Sequence, residues 1–324
     1  MEFKLQFDIP PFKKQVRPDS KLFFAGSCFS ENIARLFHNY KFRAESNTHG
    51  ILYNPASIAI SLGDCLNRDL YSEADLFFAE DRWNSFQHHS RFSSQDKQQC
   101  LDSINDNIEK GHKALKESDF IFITFGSAYT YKHLSSGITV GNCHKVPQKE
   151  FQKILLNKEK IIETYTAFIE KIKTINPSIT IVFTVSPVRY IRDGVAENNL
   201  SKAVLLQAVH ELTNTFIDTV YFPAYEIVND ELRDYRFFEE DFVHPNRLAI
   251  QYVWERLMET SFSAESKTYT ADLELILKAA AHKAFNPDSD SHKKFKAAHL
   301  RKCEEFEKCY PHTDLSEEKK HFTV

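Results

Sequence analysis

No apolar stretch in this chain approaches the roughly 20 residues that a bilayer-spanning helix needs, so no membrane partner is expected. The first twenty residues, MEFKLQFDIPPFKKQVRPDS, alternate apolar with charged residues and hold three prolines. They lack the apolar run and small-residue cleavage site of a secretory leader. Six cysteines stand at 28, 65, 100, 143, 303 and 309 with no C-x-x-C pair, which gives neither a zinc framework nor a small-domain disulfide pattern. A reducing, cytoplasmic setting is the expectation. Basic excess is missing too: 41 Lys and Arg face 45 Asp and Glu, which argues against a nucleic-acid partner. There is no internal repeat and no low-complexity segment. With 28 Phe and 13 Tyr the chain is too aromatic for extended disorder. At 324 residues it is long enough to bury about three quarters of its unfolded surface without a metal or disulfide staple.

What is present alternates between two periods. Leu22–Ala25 is a short apolar run ending at Gly26-Ser27. After it, Ile33, Leu36, Phe37 and Tyr40 recur at helical spacing. The polar stretch 94–118 reads as a helix leading into the continuous apolar run Phe120–Phe125. Residues 158–173 read as a helix before the β-branched run Ile179–Val185, and residues 199–217 as a helix before the short strand 219–222. A further helix, 246–259, is expected to open on Pro245. Strands and helices alternating at these lengths predict a parallel sheet covered by helices on both faces. In such sheets ligands bind beyond the carboxyl ends of the strands. Residues 50–92 read as an irregular insertion near that edge. Beyond residue 264 the chain turns charged and helical, so the expected division is a domain over 1–264 and a helical extension over 265–324.

Ser27 sits where the first strand turns into the first helix. Either Ser27 or Ser30 caps that helix, or Ser27 carries a nucleophilic hydroxyl. The second reading gains from Asp241-Phe-Val-His244-Pro245. Pro245 biases His244 away from helical geometry. A three-residue return brings the Asp241 carboxylate to the imidazole, which fixes the tautomer and leaves Nε2 as a general base. A serine needs such a base, because unaided it is essentially un-ionised near neutral pH. The alternative for Asp241 and His244 is a surface ion pair.

The segment Gly26-Ser-Cys-Phe-Ser30 resembles the signature of the GSCFA family, a branch of the SGNH/GDSL-type hydrolases. That family's motif ends in Ala where this chain has Ser30. The likeness continues through Tyr53-Asn-Pro55, the blocks 126–131, 140–145 and 186–189, Asp193-Gly194 and Asp241-x-x-His244-Pro245. It implies a flavodoxin-like three-layer α/β/α fold, with Ser27 as nucleophile, His244 as base and then acid, and Asp241 as orienter. It also implies an oxyanion site built from the nucleophile's N–H, a glycine N–H and an asparagine side chain. Asn47-Thr-His-Gly50 supplies the glycine block, with Gly50 as the donor. The asparagine block departs: Gly126-Ser127 stands where Gly-x-Asn-Asp is usual. Ser127, Asn142 or His144 would have to substitute, with Asn142 first by reach.

Trp83, His88 and His89 are candidates for a sugar or acyl pocket, or else ordinary hydrogen-bonded surface. Cys28, beside Ser27, reads as a packing residue. Arg189 and Arg192 suit an anionic group or are plain surface charge. The resemblance points to a serine esterase that removes a small acyl group, acetyl by expectation, from a carbohydrate or other small ester, with no cofactor. An acyltransferase using the same residues and a non-catalytic binder of the same fold are the competing expectations.

Overall fold

The computed structural model describes residues 5–323. The first four residues, where the expected 1–264 domain begins, and Val324, the end of the expected extension, lie outside the described residues. Five parallel strands form the central sheet: β1 (Lys21–Gly26), β2 (Arg43–Ser46), β3 (Phe120–Phe125), β4 (Thr180–Val185) and β5 (Thr219–Tyr221). Their spatial order is β5-β4-β3-β1-β2, the flavodoxin-like doubly wound order. The expected fold class is thus the observed one. Every residue of β3 and β4 is buried, as continuous apolar runs require when both sheet faces are covered.

Alternate strand residues divide between two cores. On one face Phe24, Phe122 and Val182 meet α1 (Cys28–Asn39). On the other, Phe23, Ile123 and Phe183 meet α2 (Pro55–Asn67), the end of α3 (Lys97–Glu117), α4 (Lys158–Ile175) and α5 (Val195–Thr215). The first core also takes in α6 (Arg247–Ser261), α7 (Ala264–Ala280), α8 (Asp290–Cys309) and α9 (Ser316–Thr323). Phe37 of α1 meets Trp254 of α6 edge-on at 4.7 Å. Leu273, Phe306 and Phe322 join that same cluster. Among the described residues no helix is long and apolar enough to cross a membrane.

Three details differ from the sequence reading. The stretch 50–92 holds α2, whose Asn54 caps Ser57 N–H ahead of Pro55 and whose Ile58, Leu62 and Cys65 face the core. A second, antiparallel sheet of residues Tyr129–His133, Thr139–Val140 and Phe151–Leu155 stands after β3. Pro245 precedes α6 rather than opening it; Asn246 is the cap, accepting from the N–H groups of Leu248 and Ala249.

Leu273 is fully buried in the shared core. Leu273→Ala is therefore expected to destabilise the whole chain by about 2–5 kcal/mol and to lower one common unfolding transition. Urea unfolding followed by both tryptophan fluorescence and circular dichroism tests this. A helical extension that folds by itself would melt separately and leave the sheet's transition unmoved.

Candidate active site

The end of β1 admits no side chain. Gly26 has φ +138°, and a Cβ there would lie 2.2 Å from the Thr124 carbonyl oxygen of β3. The chain turns directly into α1, with Ser27 at the cap position and φ, ψ of −69° and 172°. Cap geometry is present, yet the hydroxyl accepts no helix N–H, and Ser27 Oγ has no protein hydrogen-bond partner. Ser30 Oγ has none either. Ser27 is 1% exposed, so the groups around it enclose its hydroxyl.

The Asp241–His244 turn packs on the segment that follows β4, where Arg189 N–H donates to Val243 O. Asp241 Oδ2 accepts from His244 Nδ1 at 2.7 Å, and Oδ1 accepts from the backbone N–H groups of Val243 and His244. The His244 backbone N–H first, then its imidazole and the Val243 N–H, hold the carboxyl at about 2, below its ordinary 3.8. Because a carboxylate only accepts, Nδ1 carries the proton; Nε2 makes no hydrogen bond in this structure. Phe242, between the two residues, takes φ +57°, a conformation that a bulky side chain rarely adopts. Arg189 braces the turn: its N–H donates to Val243 O and its Nη1 to Phe242 O, while its guanidinium lies 4.1 Å from the Phe238 ring centre. The structure thus joins Asp241 to His244, and it does not hydrogen-bond His244 to Ser27.

The remaining candidates have these partners. Gly50, at φ +83°, packs so closely on His89 that a Cβ would lie 2.2 Å from His89 Cβ, and its N–H donates to Asn47 O at 2.6 Å. His89 Nδ1 accepts from Arg91 N–H. The N–H groups of Gly126 and Ser127 both donate to Tyr53 O. Ser127 Oγ pairs with Ser201 Oγ and accepts from Tyr129 N–H. His144 Nε2 faces the carbonyls of Ser85 and His88. Asn142 Oδ1 accepts from His144 N–H, on a segment whose N–H groups bond Phe86 O. Asn47 is different. Its Oδ1 accepts from Gly26 N–H at 2.9 Å, which fixes the orientation of its amide, and its buried Nδ2 has no protein partner.

The sequence reading passed over two groups. Arg91 bonds both Asn47 O and Glu31 of α1, tying the insertion to the first helix. On α5, Asn198, Ser201 and Lys202 form one buried face. Asn198 Oδ1 accepts from Tyr190 N–H, Ser201 Oγ from Ala128 N–H, and Lys202 Nζ donates to Gly126 O and Ser186 O. Their signal was the i, i+3, i+4 spacing, which continues the apolar face of Leu205, Val209 and Leu212 with polar side chains.

Fold and site together describe an α/β protein with a doubly wound parallel sheet, a serine directly after the first strand and an Asp–His pair in the chain after the last. The chain belongs to the GSCFA family, which matches residues 21–257; the GSCFA domain protein C-terminal domain matches residues 273–324. A search of curated proteins finds no match. Among solved structures, a carbohydrate esterase family 3 protein from Talaromyces cellulolyticus is 11% identical, with a TM-score of 0.37 over 80% of this chain and 99% of that one. A family two carbohydrate esterase from Clostridium thermocellum, in complex with cellohexaose, gives 12%, 0.38, 85% and 67%. The acetyl xylan esterase Est2A of Butyrivibrio proteoclasticus gives 10%, 0.36, 78% and 64%. These likenesses are too distant to carry activity or substrate to this chain.

The low value of Asp241 has a measurable signature. By carboxyl ¹³C NMR it is expected to titrate at about 2. His244→Ala removes the imidazole bond, and the value should rise toward 3.8. The sign follows from linkage: a folded value below the unfolded one stabilises above about pH 4 and is lost as pH falls toward 2. An unchanged value in His244→Ala would show that the backbone N–H groups alone depress it.

Proposed function

We propose that this protein is a serine esterase that removes a small acyl group, acetyl by preference, from a carbohydrate or similar small ester. One observation carries the reading: an Asp-held imidazole with a free Nε2 stands at the same sheet edge as a serine hydroxyl that its helix leaves unused. In the reaction Ser27 Oγ attacks the ester carbonyl carbon while His244 Nε2 takes its proton. The tetrahedral intermediate collapses, and the leaving alkoxide receives that proton from His244. Water then attacks the acyl-enzyme with His244 again as base, releasing the acid and restoring Ser27. Asp241 keeps the proton on Nδ1 throughout and balances the imidazolium. Catalytic hydrogen bonds commonly tighten only around substrate, so the Ser27–His244 bond is expected to form in the substrate complex.

The oxyanion site is the point at which this chain departs from its relatives' usual motif. We assign the side-chain donor to Asn47, because its Nδ2 is buried and unpartnered while Oδ1 is anchored one residue from Ser27. The Gly50 N–H, expected as the backbone donor, is instead committed to Asn47 O, and the Ser27 N–H to Thr124 O. Ser127 and His144 have their polar side-chain atoms committed elsewhere. The close enclosure of Ser27 favours a small acyl group. Exposed Tyr53, Tyr235 and Phe242 offer flat faces suited to a sugar ring. Six free cysteines suit a cytoplasmic setting.

Two measurements test this. A fluorophosphonate probe is expected to label Ser27 in the wild type and nothing in a folded Ser27→Ala protein. An unlabelled wild type that turns over neither p-nitrophenyl acetate nor an acetylated sugar would make the protein a binder instead. Asn47→Asp keeps the acceptor for Gly26 N–H and removes the donor. It is expected to lower kcat about 10²–10³-fold with KM little changed. Wild-type turnover in that variant would leave the esterase standing and remove Asn47 from the oxyanion site.

A further inference from the structure

Lys202 is a buried charged group in this region that the reaction above does not use. Its side chain rises from α5 to the carboxyl ends of β3 and β4 and is 1% exposed. The ammonium donates to Gly126 O and to Ser186 O, each at 2.6 Å. No carboxylate pairs with it among the described residues. The titratable groups that face it are Cys28 of α1 and Tyr225 beyond β5, whose ring centre lies 5.9 Å from Nζ. A buried cation answered only by two carbonyl dipoles is costly, and an apolar side chain of similar size would remove that cost.

Both carbonyls lie at the candidate site. Gly126 packs against Ser27: a Cβ on Gly126 would lie 3.4 Å from Ser27 Cβ. Ser186 opens the segment that leads to Arg189, which braces the Asp241–His244 turn. One side chain therefore links the segment behind the serine to the segment behind the histidine.

We propose that Lys202 is a positioning residue for the Ser27 site: it fixes the ends of β3 and β4 relative to each other and sets a positive charge beneath the point where ester attack builds negative charge. The inference rests on the esterase reading and deepens it. Burial lowers the Lys202 ammonium to about 7 from 10.5, so the charge is lost just above neutral pH. The pH dependence therefore separates the charge from a purely structural contact, since a neutral amine still has two N–H groups for the two carbonyls.

The test compares wild type, Lys202→Met and Ser27→Ala as full chains, reading p-nitrophenyl acetate turnover and fluorophosphonate labelling between pH 6 and 10. Lys202→Met is expected to fold, to melt no lower than wild type at pH 6, and to lose about 10- to 100-fold in kcat with KM little changed. The wild-type labelling rate is expected to fall above about pH 7 as Lys202 loses its proton, and the fall is expected to be absent in Lys202→Met. Stability gives a second signature. Between about 7 and 10.5 the unfolded chain binds the extra proton, so wild-type stability rises with pH relative to Lys202→Met. If Lys202→Met does not fold, Lys202→Gln, which keeps N–H donors without the charge, serves the same comparison. Equal rates and equal pH dependence in wild type and variant overturn the inference while Ser27 labelling keeps the esterase reading. A wild type that is not labelled at Ser27 overturns both.

Discussion

The structure around the site depends on the contact between the last residue of β1 and β3. Where Gly26 meets Thr124 O there is no space for a Cβ, and the same carbonyl also accepts from Ser27 N–H at 3.3 Å. That approach lets α1 begin at once, so Ser27 is held at the sheet's edge instead of on a loop. It also leaves Gly26 N–H facing β2, where Asn47 Oδ1 accepts it. Asn47 takes φ +48° to do so, and the turn closes with Gly50 N–H on its carbonyl. Gly50 then admits His89 against its Cα, which docks the insertion. Each step hands a geometric requirement to the next, and two of the four positions tolerate only glycine.

Much of this was legible because burial leaves a trace in composition. The runs 22–25, 120–125 and 179–185 are apolar except for Thr124, Thr180 and Thr184, and strands covered on both faces have to be largely so. The Asp241–His244 bond was legible for a local reason: a three-residue turn before Pro245 has few ways to fold. What stayed hidden is tertiary. β2, Arg43-Ala-Glu-Ser46, is a half-exposed edge strand and has no apolar alternation to announce it. α2 carries Ser57 and Ser61 on its buried face, which blurs its period. Whether an N–H such as that of Gly50 or Gly126 is free depends on which carbonyl arrives opposite it, and no spacing encodes that. Lys202 is the clearest case. A lysine in a helix reads as solvent-facing, and only the convergence of two strand ends above it makes burial tolerable.

Several of the buried polar groups without a protein partner gather at this edge, although others, such as Trp254 Nε1, lie in the core. Leaving a buried polar group unpaired costs about 1–3 kcal/mol, so folded chains satisfy nearly all of them. Here Ser27 Oγ, Ser30 Oγ, Asn47 Nδ2 and Thr184 Oγ1 are all buried without a protein partner. All four lie at the carboxyl ends of β1, β2 and β4 or in the first turn that follows. Lys202, without a counter-ion, lies in the same layer. The opposite end of the sheet is arranged otherwise: Asp119 accepts from Lys21 N–H and from Lys14, and Asn176 donates to Ser118 O. The amino ends of β1 and β3 are tied by these hydrogen bonds, while the carboxyl ends of β1, β2 and β4 retain side-chain groups without protein partners. A fold stabilised by two aromatic-rich cores tolerates that asymmetry, and nothing in packing requires it. Groups left unpaired at a strand edge are open to a bound molecule, and Ser27 Oγ and Asn47 Nδ2 are the two that the proposed ester reaction would use.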